Sequence, residues 1–343
     1  MSEIDIRHIG TAGRITLNRP DALNALTAGM SVAIEDALNR WASDPAIKLV
    51  VIDATGDKAF CAGGDIADLY AQGTAGQFGF GQDFWRQEYR MNAQVAGYGK
   101  PIVTLLQGFT MGGGVGVGCH ASDRIVCENS QIAMPECSIG LVPDVGGSHL
   151  LGRAPGHLGE YLGLTAARMG PGDAIHAGFA DHYVPRDRWA DMINTLQRTG
   201  DVAAVHQVTD TAPPSQMAKD AVEIDTLFAH DALGSIVVAC GAAEGAVAEA
   251  ATKALSRNAP LAMACALRLI RAARTGTGLT EALRHEFRYT FRAQQQGDFL
   301  EGIRAAIIDR DRNPAWRHST AAEVTKAQID AMLAPLGDDA LML

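Results

Sequence analysis

Along the first two hundred residues, short apolar runs alternate with stretches of helical period. Residues 14–18 (RITLN) alternate apolar and polar and predict a strand, which Arg19-Pro20-Asp21 stops. Thr27 is placed to cap a helix whose apolar face is Ile34, Leu38 and Trp41, at spacings of four and three. Residues 49–52 (LVVI) read as a buried strand, and 58–65 (KAFCAGGD) as a strand end running into Gly63-Gly64. A helix is expected over 83–96, strands over 101–106, 124–127 and 131–134, and helices over 148–154 and 158–164. A short strand at 181–184 and a helix at 186–198 follow. Residues 199–217, rich in Ala, Thr and Pro, mark a boundary. Beyond it the period is helical, clearest at 246–255, 261–274, 279–296 and 299–309, with a tail over 320–333. The pattern predicts an α/β core over residues 1–200, with crossover connections, and a helical region over 201–343.

Composition narrows the function classes. Of 343 residues, 47% are apolar and 20% charged, enough for a large core. The net charge of −10 argues against sequence-independent nucleic-acid binding, which needs a basic face, but leaves room for a small anionic ligand. No apolar run approaches 18 residues and MSEIDIRHIG has no apolar leader, so no membrane span and a cytoplasmic location are expected. The six cysteines, Cys61, Cys119, Cys127, Cys137, Cys240 and Cys265, form no C-x-x-C pair and fit reduced thiols. Cys137 could be a nucleophile, but with no histidine near it in sequence a packed thiol is the better reading.

The candidate chemistry sits in residues 100–147. A strand pattern runs into Gly108 and then Gly112-Gly113-Gly114, and Glu136 and Asp144 follow on a Gly- and Pro-rich loop. Glycine lets a backbone approach a ligand and turn its N–H inward, and two such turns, at Gly63-Gly64 and at the triplet, could converge on one carbonyl oxygen. Tight helix–strand packing also demands glycine; the downstream carboxylates tip the balance toward acyl chemistry. Asp144 after Pro143 is equally placed to cap a helix beginning near Gly146, and Asp65 fits an N-cap better than an acid. Glu88 shares a helical face with Phe84 and Met91, and fits a solvent edge or a pocket wall equally well. The G-x-G-x-x-G, P-loop, G-x-S-x-G and H-E-x-x-H patterns are absent, and the histidines are scattered, so no metal site is expected.

Taken together, Asn18-Arg-Pro through Asn24-Ala-Leu, the 59–65 run AFCAGGD, the Gly112 triplet and MPECSIGLVPDVGG at 134–147 resemble the crotonase (enoyl-CoA hydratase/isomerase) superfamily. The spacing of Glu136 and Asp144, Glu88 in a Q-E-Y setting and the 299–316 stretch FLEGIRAAIIDRDRNPAW resemble its thioester-hydrolase branch. The resemblance implies a spiral of repeated ββα units and hydrolysis of a short 3-hydroxyacyl-CoA, as in valine degradation. It implies oxyanion donors at the amides of Gly64 and Gly113, catalysis by Glu136, as nucleophile or base, with Asp144, and Glu88 lining the acyl pocket. CoA would lie along 19–26 and 59–64, touching Ala22 and Leu23, with Ala62 beside the adenine. No cofactor beyond the substrate's own CoA is implied, and a homotrimer or hexamer would pack through the helical third. Hydratases carry a first catalytic Glu where this chain has Gly116. The rival readings are a hydratase or isomerase using Glu136 alone, and a non-catalytic acyl-CoA-binding subunit.

Overall fold

In the computed structural model, which describes residues 2–276 and 278–343, the strands form two sheets. β1 (Ile4–Ile9) and β2 (Ala12–Leu17) pair antiparallel. Then come β3 (Leu49–Ala54), β4 (Ala59–Cys61), β5 (Ile102–Leu105), β6 (Phe109–Met111), β7 (Asp123–Val126), β8 (Gln131–Ala133) and β9 (His182–Tyr183). The larger sheet has the order β1-β2-β3-β5-β7-β9, parallel from β2 onward, and the smaller is β4-β6-β8, also parallel. From β3 on, a strand of the larger sheet is followed within a few residues by one of the smaller, and helices lead to the next pair. That is the expected ββα repeat, turned three times. Every residue of β3 is buried, which is why its sequence runs apolar instead of alternating.

The helix Ala28–Ala42 starts where expected: the Thr27 hydroxyl accepts from the Met30 amide, and Ile34, Leu38 and Trp41 are buried. The helix predicted over 83–96 is longer, Phe78–Ala96. Asp65 is not a cap. The helix there is Ala67–Thr74, with Ile66 at the N-cap position and no side-chain cap. The 299–309 helix is Phe299–Ile303 continued by a π-turn, Arg304–Ile308.

The chain packs as two compact units that interleave in sequence. One comprises Met1–Gly64, Gln87–Ala133 and Met169–Gln216, and holds the nine strands found among the described residues. The other comprises Asp65–Arg86, Met134–Arg168 and Met217–Leu343. The Ala- and Pro-rich stretch at 199–217 therefore ends where the chain leaves the sheet-bearing unit for the last time.

Candidate active site

In the sheet-bearing unit the two glycine turns meet. Gly63 has φ +119° and Gly112 has φ +48°, conformations that L side chains rarely adopt, and each immediately precedes a predicted donor. A left-handed residue at that point turns the next peptide unit away from its strand direction. A Cβ placed on Gly113 would lie 3.3 Å from the Gly64 nitrogen and 2.6 Å from Glu88 Oε1. The Gly64 amide, the Gly113 backbone and the Glu88 carboxylate therefore share one small space. The next glycine has a packing role: a Cβ on Gly114 would lie 2.2 Å from the Cys61 carbonyl oxygen, so the helix Gly113–Gly118 can sit on β4 only without a side chain there. Glu88 is 3% exposed, so of its two sequence readings the interior one holds.

The loop expected to carry CoA is built against the same strand end. Pro20–Ala22 is one 3-10 turn, and Leu23 and Asn24 follow in the left-handed region, at φ 51° and 56°. Asn24, 1% exposed, holds the loop. Its Oδ1 accepts from the Arg19 amide at 2.8 Å, and its Nδ2 donates to the Thr55 and Ala59 carbonyls at 3.0 and 2.9 Å. The Ala62 amide donates to the Leu23 carbonyl at 3.1 Å and the Leu26 amide to the Gly63 carbonyl at 2.8 Å. Ala22, Leu23 and Ala62 thus flank one ledge beside the Gly64 amide.

The two acids belong to the other unit. Glu136 opens a 3-10 turn, Glu136–Ile139, directly after Pro135, and is 4% exposed. Asp144 is also 4% exposed. Its expected role as a helix cap is filled by another residue. The helix Gly147–Arg153 has Gly146 at its N-cap position; the Gly147 amide donates to the Asp144 backbone carbonyl at 2.6 Å, while Gly146 N and Ser148 N donate to Glu286 Oε2 and Oε1 at 2.8 and 2.9 Å. The Ser148 hydroxyl also bonds Oε1. Glu286 is fully buried on the helix Leu279–Gln296. Burial pushes its carboxyl up to about 8, helped by the nearby Asp144 charge and opposed by the Ser148 and Gly146 donors. Nothing in the sequence singled it out. The only signal was an acid on the buried face of an amphipathic helix, between Leu283 and Phe287.

The thiols are not chemical groups of this site. All six cysteines are buried, and burial pushes the Cys137 thiol well above its usual range. One grouping was not foreseen: Asp123, His182 and His206, isolated in sequence, bring their ligand atoms within 4.8 Å of one another in the sheet-bearing unit.

The interleaved sheets, paired glycine turns and buried acids define an acyl-CoA enzyme of the crotonase type, and the comparisons agree. The family model described as enoyl-CoA hydratase/isomerase matches residues 12–333, so the chain belongs to that family. It is 38% identical to the 3-hydroxyisobutyryl-CoA hydrolase, mitochondrial, of Xenopus tropicalis, covering 97% of this chain and 89% of that protein. It is 34% identical to a probable 3-hydroxyisobutyryl-CoA hydrolase of Arabidopsis thaliana, covering 96% and 90%. A solved structure described as an enoyl-CoA hydratase from Rhodobacter sphaeroides 2.4.1 superposes with a TM-score of 0.97 at 56% identity, covering all of both chains. Another, described as a carnitinyl-CoA dehydratase from Mycobacterium thermoresistibile, gives 0.95 at 37% identity, covering 100% and 99%.

These relatives overturn the cytoplasmic placement. The animal hydrolases are named as mitochondrial. Leaders for that organelle are amphipathic and Arg-rich, not apolar, so the lack of an apolar leader never discriminated between the two compartments.

Proposed function

We propose that the chain hydrolyses the thioester of a short 3-hydroxyacyl-CoA, such as 3-hydroxyisobutyryl-CoA, releasing the hydroxy acid and CoA in valine degradation. The observation that carries this reading is the makeup of the helix Gly113–Gly118. Its sequence, GGVGVG, supplies backbone amides and no carboxylate. Hydration uses two acids to place one water, and Gly116 stands where hydratases carry the first. Hydrolysis needs an oxyanion hole and one group that attacks or activates water.

In this reading the amides of Gly64 and Gly113 donate to the carbonyl oxygen as its charge builds. Each such donor is worth about 3–4 kcal/mol of transition-state stabilisation. Glu136 attacks the carbonyl carbon and the C–S bond breaks. CoA leaves as the thiolate and takes up a proton, and water opens the resulting anhydride to free the acid and restore Glu136. In the alternative, Glu136 takes a proton from the attacking water. Asp144 binds the substrate hydroxyl or steers the water. Glu88 bounds the acyl pocket, and Ala22, Leu23 and Ala62 border the CoA. A methyl in an apolar pocket discriminates by only about 10–200-fold, so 3-hydroxypropionyl-CoA is a plausible second substrate. The chemistry draws on no metal and no separate cofactor, and turnover after dialysis against EDTA tests that. Trimeric or hexameric assembly, read by light scattering, belongs to the same proposal.

The decisive assay offers the enzyme 3-hydroxyisobutyryl-CoA and crotonyl-CoA, following free thiol for one and loss of the enoyl absorbance for the other. Hydration of crotonyl-CoA without thiol release from any hydroxyacyl-CoA would replace the hydrolase reading with a hydratase. Inertness toward a whole acyl-CoA panel would leave a binding subunit. Wild-type turnover by Glu136→Gln or Asp144→Asn would remove that residue from its role. One turnover in ¹⁸O-water separates the two routes, since label in the Glu136 carboxylate marks attack by the side chain.

A further inference from the structure

The loop that carries Asp144 is not in a conformation its own sequence favours. Val145, β-branched and 1% exposed, has φ +51°, and Gly146 follows at +80°. A β-branched residue in the left-handed region is a backbone outlier, held only where its surroundings over-determine it. One helix bonds the backbone on both sides of Val145. On Leu279–Gln296, Glu286 accepts from the amides of Gly146 and Ser148, which bracket the turn, and bonds the Ser148 hydroxyl. Three residues along, on the same face, the Tyr289 hydroxyl donates to the Gly140 carbonyl at 3.0 Å. Gly140 is the left-handed residue that ends the Glu136 turn, and its amide returns to the Glu136 carbonyl. Both Glu286 and Tyr289 are fully buried. One helix face thus grips the backbone just downstream of each acid.

We infer that Glu286 is a positioning residue for Asp144, holding the strained 144–148 loop so that the carboxylate keeps one orientation, while Tyr289 does the same for the turn that begins with Glu136. The inference rests on the hydrolase reading for what Asp144 does. It does not rest on it for the loop geometry. Gln at 286 has nearly the shape of Glu, but both carboxyl oxygens can accept from an amide whether or not the acid holds its proton, whereas the Gln nitrogen accepts nothing, so one of the two backbone amides must face a donor.

A double-mutant cycle tests the coupling. Glu286→Gln should lower kcat at least tenfold with KM changed less than threefold, and should lower it less than twofold when added to Asp144→Asn, because its effect passes through that carboxylate. Equal losses in both backgrounds, or no loss in the wild type, would overturn the inference. Absence of thiol release by the wild type would count against the hydrolase reading instead. A crystal structure of Glu286→Gln then decides the positioning role alone: Val145 should leave the left-handed region, and an unmoved loop overturns it. If Glu286→Gln does not fold, Val145→Gly should restore folding to the double variant, because glycine takes that φ without strain; failure to do so also counts against the clamp.

Discussion

Gly113→Ala is the sharpest test of the oxyanion assignment, because the geometry sets what one methyl must do. The new Cβ would sit 2.6 Å from Glu88 Oε1, 3.3 Å from Gly64 N and 3.5 Å from Gly63 C. The first of these is well inside van der Waals contact, and Glu88, at 3% exposure, has no solvent to retreat into. The strain is shared between the Glu88 side chain and the 63–64 turn, whose amide is the other donor in the proposed mechanism. Overpacking of this kind typically costs about 1–3 kcal/mol of stability. Displacing an oxyanion donor typically costs about 10²–10³ in kcat. The expected variant folds, melts a few degrees lower, and loses about two to three orders of magnitude in kcat with a much smaller change in KM. Thiol release under saturating substrate and a thermal melt read the two effects separately. Added to Glu88→Ala, the same substitution should lose at least tenfold less, since the 2.6 Å contact is gone. If Gly113→Ala stays within twofold of wild type in kcat, the two turns do not hold the reacting oxygen, and the mechanism proposed here is wrong.

Three further outcomes are expected. Asn24→Ala strips three hydrogen bonds, one buried and two part-buried, and puts Ala at φ 56°, so urea unfolding should show a loss of about 3 kcal/mol, and the KM for acyl-CoA should rise more than kcat falls; an unchanged midpoint would refute this. Burial pushes the Cys61 and Cys119 thiols up to about 12 and Cys240 to about 11, so the native protein at pH 8 should show no fast reaction with Ellman's reagent and six thiols once denatured; a native burst would contradict the packing. Glu286 has a carboxyl raised from an ordinary 4.5 to about 8, so between those pH values the folded state holds a proton that the unfolded chain has lost. Its contribution to stability therefore falls as pH rises through that window. Relative to wild type, Glu286→Gln should gain stability from pH 4.5 to 8 by up to about 5 kcal/mol, and parallel stability–pH curves would refute the shift.

The parts of this protein that were legible in its sequence are those where the local pattern and the tertiary role agree. The Thr27 cap, the 28–42 face and the LVVI strand are local statements, and each holds in the fold. Asp65 and Asp144 both carried a residue type that caps helices, and neither does so. In the first case the helix starts two residues later. In the second a carboxylate 140 residues away takes the amides. No local rule can see Glu286, because what identifies it is a partner across the chain. β6 was missed because FTM is three residues long and its pairing with β4 and β8 supplies its stability, not any period of its own. The grouping of Asp123, His182 and His206 is illegible for the same reason, its members standing far apart in the chain.

On the mechanism proposed here, hydration and hydrolysis differ in where a carboxylate must be placed around two amides. A hydratase must hold one water with two acids, so losing the acid of the donor-bearing helix removes a positional constraint that no electrostatics can replace. A hydrolase puts its burden on orienting one attacking group against a thioester whose leaving thiolate is already good. That burden requires a rigid acid-bearing turn, and rigidity of this kind demands many fixed contacts. The helix Leu279–Gln296 supplies such contacts here, through Glu286 and Tyr289. In the proposed hydrolase the orientation of acids held on loops therefore draws on a helix from the C-terminal region.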